Sequence, residues 1–582
     1  MEKRVIIAIL LSLAVIVGYP YILKQVYPEA YTEVTEESAV EPEKNVTTSL
    51  LSKIGIGEAP AEKAAPAPKV FPVTTRALPG AAEELTTVET PLFKAVFTNH
   101  GGAITKWELK KYNATREADS LPVDLVNNLD SQTTNRTSIV INNETEEIVF
   151  NSPLRSAYTL DGREKLEFVY SGTTKEGLVV EKRYKFSADT YMVDTEVRLY
   201  NRSDAPVTGH IETLMSATLK KETKKSYYHY GPVVYEDDEI LRQDSDEEAL
   251  RGKGALHWIG LENKYFLTVL LPPASAHLNW ATEVYDEDFA TTTVISDEMR
   301  IAPGADAAVV YSTFSGPKLY SLMTNKHIGL EESIEFGFFA IMAKPFLVIL
   351  NLMQGYLVNY GIAIVLFTVA IKLLFYPLTK HSMTSMKEMQ RVQPQLAAIK
   401  KRFKDNKEKM NKEVMGLYKK YKINPVSGCL PMVLQIPVFI ALYEVLYVAI
   451  ELRHAPLILW ITDLSAKDPY YITPVLMGAS MYFQQKMTPS SPDPTQAKMM
   501  QFLPIVFTFM FLNFPAGLVL YWLTNNLLSI GQQVIINKAH AAKASSVPPI
   551  DLTQYDEPDT PKEVKPAKSQ HKGKGKGKKS KK

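Results

Sequence analysis

Three polar side chains occur at four-residue spacing inside a strongly apolar stretch of this sequence. The stretch LFTVAIKLLFYPLTKHS, residues 366–382, contains Thr368, Lys372 and Tyr376. Residues four apart share one face of a helix, so these three predict a polar stripe. A charge inside a membrane helix costs about 2.5–3.5 kcal/mol on insertion scales, and such charges usually face a bundle interior or a water-filled cavity.

Two interpretations of Lys372 follow from its depth. We expect the helix to run over residues 354–378, which places Lys372 about 7–8 Å from its inner end. A lysine stem spans part of that distance, so the ammonium group could simply snorkel to the membrane surface. Gln435 lies at a similar depth in the next predicted helix, which favours a wet cavity instead. Glu444, about 22 Å from the inner end of that helix, is too far away to neutralise Lys372.

The elements that would position these residues are membrane helices. Residues 1–23 contain two basic residues and then nineteen mostly apolar ones, about 28 Å of helix, which predicts an uncleaved anchor. A cleaved signal peptide is the alternative. Residues 331–353 predict an amphipathic helix in the membrane interface. Five further spans are expected at 354–378, 429–450, 470–486, 499–514 and 516–537.

Charge asymmetry predicts the orientation of these six spans. Residues 379–428 contain 13 Lys and Arg, whereas residues 451–469 contain two. The first segment is therefore expected in the cytoplasm, with both chain termini, and the second outside. Two apolar stripes at helical spacing predict a cytoplasmic helical hairpin within 379–428. The stripes are Val392, Leu396, Ile399 and Phe403, and Met410, Val414, Leu417 and Tyr421.

Residues 88–330 show the period-two alternation of β-strands. In YMVDTEVRLYNRSD, Val193, Thr195, Val197 and Leu199 alternate with charged residues. Many short strands separated by turn residues predict a large all-β sandwich, which the flanking spans place outside the cytoplasm. Residues 24–87 are rich in Pro, Ala and Glu and predict a flexible linker. Residues 538–582 predict a basic, disordered cytoplasmic tail.

The sequence offers no pattern for catalysis, cofactor binding or metal binding. GxSxG, HExxH and Gly-rich phosphate motifs are absent, and the histidines are scattered. The single cysteine, Cys429, excludes an intrachain disulfide. The net charge of +1 says little about partners, and we expect no specific nucleic-acid sequence among them. We therefore predict a protein that is not an enzyme and needs no cofactor or metal.

Four long segments in order resemble the YidC family of membrane protein insertases. They are YPLTKHSMTSM, NPVSGCLPMVLQIPVFIALYEVL, LSAKDPYYITPVLMGASMYFQQKM and FPAGLVLYWLTNNLLSIGQQ. The segment FKAVFTNHGGAITKWEL resembles the periplasmic domain of the Gram-negative branch. The resemblance covers roughly residues 330–540 and the start of the predicted β-sandwich. It implies a polytopic α-helical membrane protein with a five-helix core.

The resemblance also implies a function and a site. A five-helix core of this family encloses a polar groove that opens to the cytoplasm and contains a positive residue, usually Arg. Here that residue is Lys372, which keeps the charge but loses the forked geometry. Tyr521 and Trp522 would face the groove. Implied partners are nascent membrane proteins, the ribosome, the Sec translocon and membrane lipid. The alternatives are a secondary transporter with a periplasmic ligand-binding domain and an envelope enzyme.

Overall fold

The computed structural model describes residues 69–70 and 83–544, with internal gaps. The gaps are 118, 127–133, 154, 219–227, 245–246, 274–277, 286–288, 325–327, 422–429 and 488–493. The predicted anchor (1–23), most of the predicted linker, Cys429 and the predicted tail beyond residue 544 lie outside the described residues.

Residues 69–70 and the described part of 83–317 form a domain of mostly antiparallel β-strands, called the β domain below. Period-two alternation of apolar residues produces these strands, because successive side chains point to opposite faces. The described strands are β1 (Lys69–Val70), β2 (Leu85–Glu89), β3 (Phe93–Thr98), β4 (Ile104–Asn113), β5 (Pro122–Asp124), β6 (Arg136–Ile141), β7 (Glu144–Glu147), β8 (Ala157–Thr159), β9 (Lys165–Thr173), β10 (Leu178–Ser187), β11 (Met192–Asn201), β12 (Val207–Thr218), β13 (Gly231–Glu236), β14 (Glu239–Arg242), β15 (Arg251–Gly252), β16 (Leu256–Glu262), β17 (Phe266–Leu271), β18 (Asn279–Tyr285), β19 (Phe289–Ile295), β20 (Met299–Ile301) and β21 (Asp306–Pro317).

The described strands form three sheets, which confirms the predicted sandwich. The largest has the order β1-β9-β10-β11-β21-β17-β16-β13-β14. The second has the order β15-β18-β19-β12-β6-β7, with β20 beside β12, and the third β5-β4-β3-β2-β8. The pairs β1–β9 and β2–β8 are parallel. In β11, Val193, Thr195, Val197 and Leu199 are buried. Asp194, between them, is exposed, so the predicted alternation of this strand is confirmed.

Helices follow the last strand. The described α-helices are α1 (Tyr320–Met323), α2 (Ala340–Leu357), α3 (Tyr360–Leu374), α4 (Tyr376–Arg402), α5 (Lys407–Lys420), α6 (Leu430–Val448), α7 (Ile472–Met487), α8 (Pro494–Phe511) and α9 (Ala516–Ala544). Two short 3-10 helices, Leu330–Ser333 and Ile450–Leu452, connect them. Helices α6 to α9 lie within a few residues of their predicted positions, except that α9 continues to Ala544.

The predicted boundary between an interfacial helix and a first core helix at residue 354 is wrong. Helix α2 continues through it to Leu357, and Val358 then adopts a left-handed conformation with φ of 58°. The Asn359 side chain accepts a hydrogen bond from the Ile362 amide at 3.0 Å and so begins α3. Asn is a favourable N-cap because its side-chain oxygen satisfies a free first-turn amide.

A sharp bend also divides the predicted helix 354–378. Helix α3 ends at Leu374, α4 begins at Tyr376, and their axes differ by 63°. Pro377 explains the break, because its ring would clash with the carbonyl group four residues earlier if the helix continued straight. In α4 the same proline occupies the first turn, where its missing amide hydrogen is not needed.

Six membrane spans are not confirmed by helix length and hydropathy. Among the described residues, Ala340–Leu357 is long and apolar enough to cross a membrane. The bent pair α3 and α4 counts as a second span only if both are taken together. Shorter apolar helices are described at Gln435–Val448 and Gln501–Phe511.

Helices α4 and α5, which cover the segment of the predicted hairpin, pack against each other. Both predicted stripes lie in one apolar cluster that joins the two helices. Val392, Leu396, Ile399 and Leu417 form its buried centre. The Asn406 side chain accepts a hydrogen bond from the Lys409 amide at 2.9 Å and caps α5. The cytoplasmic location of this hairpin stays a prediction.

The β domain contacts the segment that follows α6. Arg453 donates hydrogen bonds to the carbonyl oxygens of Asn113 at 2.7 Å and Ala114 at 3.1 Å. The rings of Tyr228, in the β domain, and Tyr447, near the end of α6, stack with centroids 4.9 Å apart. These contacts hold the β domain against the helical region.

Candidate functional site

Lys372 lies in the last turn of α3 and contacts α9. Its Nζ atom donates a hydrogen bond to the Ser529 Oγ atom at 2.8 Å. The position suits a cation, because the C-terminal end of a helix carries partial negative charge. Sequence reasoning found no partner for Lys372, whereas the structure provides this hydroxyl group. Among the described residues, no carboxylate lies within ion-pair distance of the Lys372 ammonium group.

The predicted stripe of Thr368, Lys372 and Tyr376 is divided by the bend. Thr368 lies one turn before Lys372 on α3, is 1 % exposed, and donates its hydroxyl hydrogen to the Ile364 carbonyl oxygen at 2.6 Å. Tyr376 is half-buried in the first turn of α4, beyond the bend. The structure thus keeps Thr368 beside Lys372 on one helix, and Tyr376 belongs to the next.

Gln435 and Tyr521 form a second polar contact. The Gln435 Nε2 atom of α6 donates a hydrogen bond to the Tyr521 Oη atom of α9 at 2.7 Å. The Tyr521 ring is buried. Tyr521 precedes Ser529 by eight residues, or about 12 Å along α9. The two polar contacts therefore occupy different levels of the same helix.

Trp522 belongs to an aromatic cluster between α6, α8 and α9. Its ring centroid lies 4.5 Å from that of Phe439, 5.7 Å from that of Phe507 and 5.1 Å from that of Phe511. The pairs with Phe439 and Phe511 are edge-to-face, and such pairs add about 0.5–1.5 kcal/mol each beyond the burial of their area. The cluster fills the space between the helices at the level of Trp522, about 10 Å along α9 from Ser529.

Buried polar contacts also join α7 and α9. Asn526 donates to the Ser480 Oγ atom at 3.2 Å, and Gln533 donates to the Met487 carbonyl oxygen at 2.7 Å. Hydrogen bonds between helices of this type stabilise membrane bundles by about 0.6 kcal/mol on average. For Asn526 this supports a structural role.

Sequence reasoning did not identify Ser529. A signal was present, because Tyr521, Asn525, Ser529 and Gln533 repeat every four residues and so share one face of α9. Glu444 behaves as predicted and does not pair with Lys372. Its Oε2 atom accepts a hydrogen bond from the Tyr228 hydroxyl group of the β domain at 3.4 Å. Within the described ranges, no group of acidic, His and Cys side chains could hold a metal ion.

Comparison with known proteins identifies the family. The family model described as the YidC periplasmic domain matches residues 85–349, and that of the 60Kd inner membrane protein matches residues 352–543. The membrane protein insertase YidC of Syntrophus aciditrophicus is 38% identical over 557 residues, which cover 92% of this chain and 100% of the relative. This chain belongs to the YidC family of membrane protein insertases. The YidC protein of Geotalea uraniireducens is 40% identical over 93% of this chain and 99% of its own.

Membership of the YidC family decides between the predicted alternatives. Its members are insertases and not enzymes, which confirms the non-enzymatic prediction. The secondary-transporter alternative has no support in these relatives. A solved structure described as an active YidC insertase with its first transmembrane domain resolved is similar, with 18% identity and a TM-score of 0.34. The similarity covers 78% of this chain and 95% of that one.

Proposed function

We propose that this protein inserts nascent membrane proteins into the inner membrane and acts as a chaperone for them, alone or with the Sec translocon. Its relatives are membrane protein insertases and one matching family is an inner membrane protein, which supports the insertase activity and the inner membrane. The proposed mechanism rests on the environment of Lys372. Its ammonium group lies between α3 and α9, and the partner described for it is a neutral hydroxyl group.

An unneutralised ammonium group at a helix interface attracts carboxylate groups. We expect the polar tail of a client to enter a groove lined by Thr368, Lys372, Gln435 and Tyr521, with carboxylates drawn to Lys372. An ammonium group acts as a point charge, so this attraction requires no fixed orientation of the carboxylate. The apolar part of the client would move into lipid along α6 and α8. Helix α8 exposes Phe502, Ile505, Val506 and Phe509, and α6 exposes Ile436.

The direction in which a client is inserted depends on which side of the membrane each part of the protein faces. The positive charge of residues 379–428 supports a cytoplasmic hairpin, with the β domain in the periplasm and both termini in the cytoplasm. The aromatic cluster around Trp522 would then close the periplasmic half of the groove. The Lys372 end would stay accessible from the cytoplasm. A negatively charged tail would also be drawn outward by the membrane potential.

The hairpin and the tail are the proposed contacts with the ribosome. Lys400, Lys401 and Arg402 end α4, and Lys419 and Lys420 end α5. Such a basic surface suits the phosphate groups of ribosomal RNA, and binding to it weakens as salt concentration rises. Crosslinking from α5 to translating ribosomes tests this contact. A crosslink yield independent of salt and of Lys419→Glu/Lys420→Glu would contradict it.

Insertion into reconstituted vesicles tests the proposed mechanism. Two single-span clients are compared, one with an acidic N-terminal tail and one with a neutral tail. Lys372→Ala and Lys372→Glu should lower insertion of the acidic-tailed client more than that of the neutral one. Lys372→Arg should preserve both, because it retains the charge. If Lys372→Glu leaves insertion of both clients unchanged, the mechanism is wrong. Solute uptake without insertion would favour the transporter alternative.

A further inference from the structure

Ser529 is oriented by two hydrogen bonds. Its Oγ atom accepts from Lys372 Nζ at 2.8 Å and donates to the Asn525 carbonyl oxygen, one turn earlier on α9, at 2.7 Å. A serine hydroxyl group has one donor hydrogen and two acceptor positions. Because the hydrogen is used for Asn525, a lone pair faces the Lys372 ammonium group. The side chain is buried, so this arrangement is set by the packing of α9.

Lys372 lies so close to the end of α3 that its ammonium group could reach water unless another contact held it. Helix α3 ends at Leu374, two residues or about 3 Å beyond Lys372. A lysine stem is long enough to carry its ammonium group past that end and into the surrounding water. The contact with Ser529 instead directs the ammonium group across to α9. An ammonium group has three donor hydrogens, so the bond to Ser529 leaves two for a carboxylate or water.

We propose that Ser529 is a positioning residue that holds the Lys372 ammonium group between α3 and α9 for carboxylate-bearing clients. The inference depends on the proposed insertase mechanism and adds a specificity-determining residue to it. A guanidinium group presents its donors in a fixed planar fork. A lysine ammonium group is a point charge on a flexible stem, so a neighbouring group must fix its position. In this chain Ser529 supplies that orientation.

Comparing threonine with valine at position 529 separates the effect of the hydroxyl group from the effect of side-chain shape. The two residues are nearly isosteric, but valine lacks the hydroxyl group. Ser529→Val should lower insertion of the acidic-tailed client, relative to the neutral-tailed client in the same vesicles, by about threefold to tenfold, the worth of one hydrogen bond. Ser529→Thr should restore the ratio. In a Lys372→Ala background, Ser529→Val should cause no further change in it.

Asn526→Ala is the matched control. It removes a buried hydrogen bond from the same helix, to Ser480. It should lower the insertion of both clients by the same factor, because Asn526 has no bond to Lys372. The ratio of the two clients is independent of how much protein folds, so a poorly folded variant still gives an answer.

The outcomes distinguish this inference from the proposed mechanism. If Lys372→Ala lowers the client ratio but Ser529→Val and Ser529→Thr give the same ratio, Ser529 does not position Lys372. If Asn526→Ala changes the ratio as much as Ser529→Val does, the effect comes from general packing of α9. If Lys372→Ala itself leaves the ratio unchanged, the proposed mechanism is wrong, and the role of Ser529 is refuted with it.

Discussion

The Nζ atom of Lys264, in the β domain, lies 4.0 Å from the centroid of the Tyr447 ring near the end of α6. The rings of Tyr265 and Tyr228 lie 4.8 Å and 5.7 Å from the same nitrogen. A cation enclosed by aromatic rings gains about 2 kcal/mol or more when it is desolvated. Lys264 therefore connects the β domain to α6 and adds to the contacts made by Arg453.

Lys264→Met should loosen the β domain from the helices. Methionine fills similar space but carries no charge, so the attraction to Tyr447 is lost. We expect faster hydrogen exchange in residues 447–453 of the full-length protein in detergent. Lys165→Met, at an exposed lysine of β9, is the control. Equal exchange in the two variants would show that Lys264 does not join the domains.

Lys182 should make the stability of the β domain depend on pH. Its Nζ atom is fully buried and lies within hydrogen-bonding distance of the carbonyl oxygens of Asn135 at 2.6 Å, Gly102 at 3.1 Å and Gly101 at 3.3 Å. Burial lowers the pKa of Lys182 well below its ordinary value of 10.5. Between these two pKa values the unfolded chain binds a proton that the folded chain does not, so the free energy of unfolding rises with pH.

The measurement is denaturant unfolding, followed by far-UV circular dichroism, of the full-length protein and of Lys182→Met. As pH approaches 10.5, the native protein should gain stability over the variant by up to about 1.4 kcal/mol per pH unit. Lys165→Met, with its exposed lysine, should retain the slope of the native protein. Parallel pH profiles for the native protein and Lys182→Met would contradict the buried neutral amine.

Leu396→Ala should separate the two helices of the hairpin. Leu396 is buried between α4 and α5, and truncation of a buried leucine to alanine costs about 2–5 kcal/mol. The small apolar cluster of the hairpin has little else to offset this loss. Proteolysis within residues 403–421 should become faster than in the native protein. Met415→Ala, at an exposed position of α5, should leave the cleavage rate unchanged.

Tyr521→Phe should destabilise the helical region without changing client preference. The ring still packs beside Phe439, whereas the Gln435 amide loses its partner, at a cost of about 1–3 kcal/mol. Thermal unfolding in detergent measures this loss, and Tyr482→Phe, at an exposed tyrosine of α7, provides the comparison. Insertion of acidic-tailed and neutral-tailed clients should decrease by equal factors. A selective loss for the acidic-tailed client would instead assign Tyr521 to carboxylate binding.

The sequence predicted features that depend on local pattern. Alternation in β11 and the stripes of α4 and α5 are properties of neighbouring residues, and both are confirmed. The bend at Phe375 was missed because hydropathy continues through it, although Pro377 marked the place. The helix boundary at Val358 was missed for the same reason, although Asn359, a favourable N-cap residue, marked the start of the next helix. Periodicity places Ser529 on a polar face of α9, but it does not pair that face with Lys372, which lies 157 positions away in the chain.

The bend between α3 and α4 has a mechanical consequence. Helices α3 and α4 are separate segments that meet at a 63° corner at Phe375. A force on the hairpin would act first on α4, beyond this corner. Lys372 lies on the other side of that corner and is held to α9 through Ser529. The position of the Lys372 charge is therefore set by α3 and α9 and not by the hairpin.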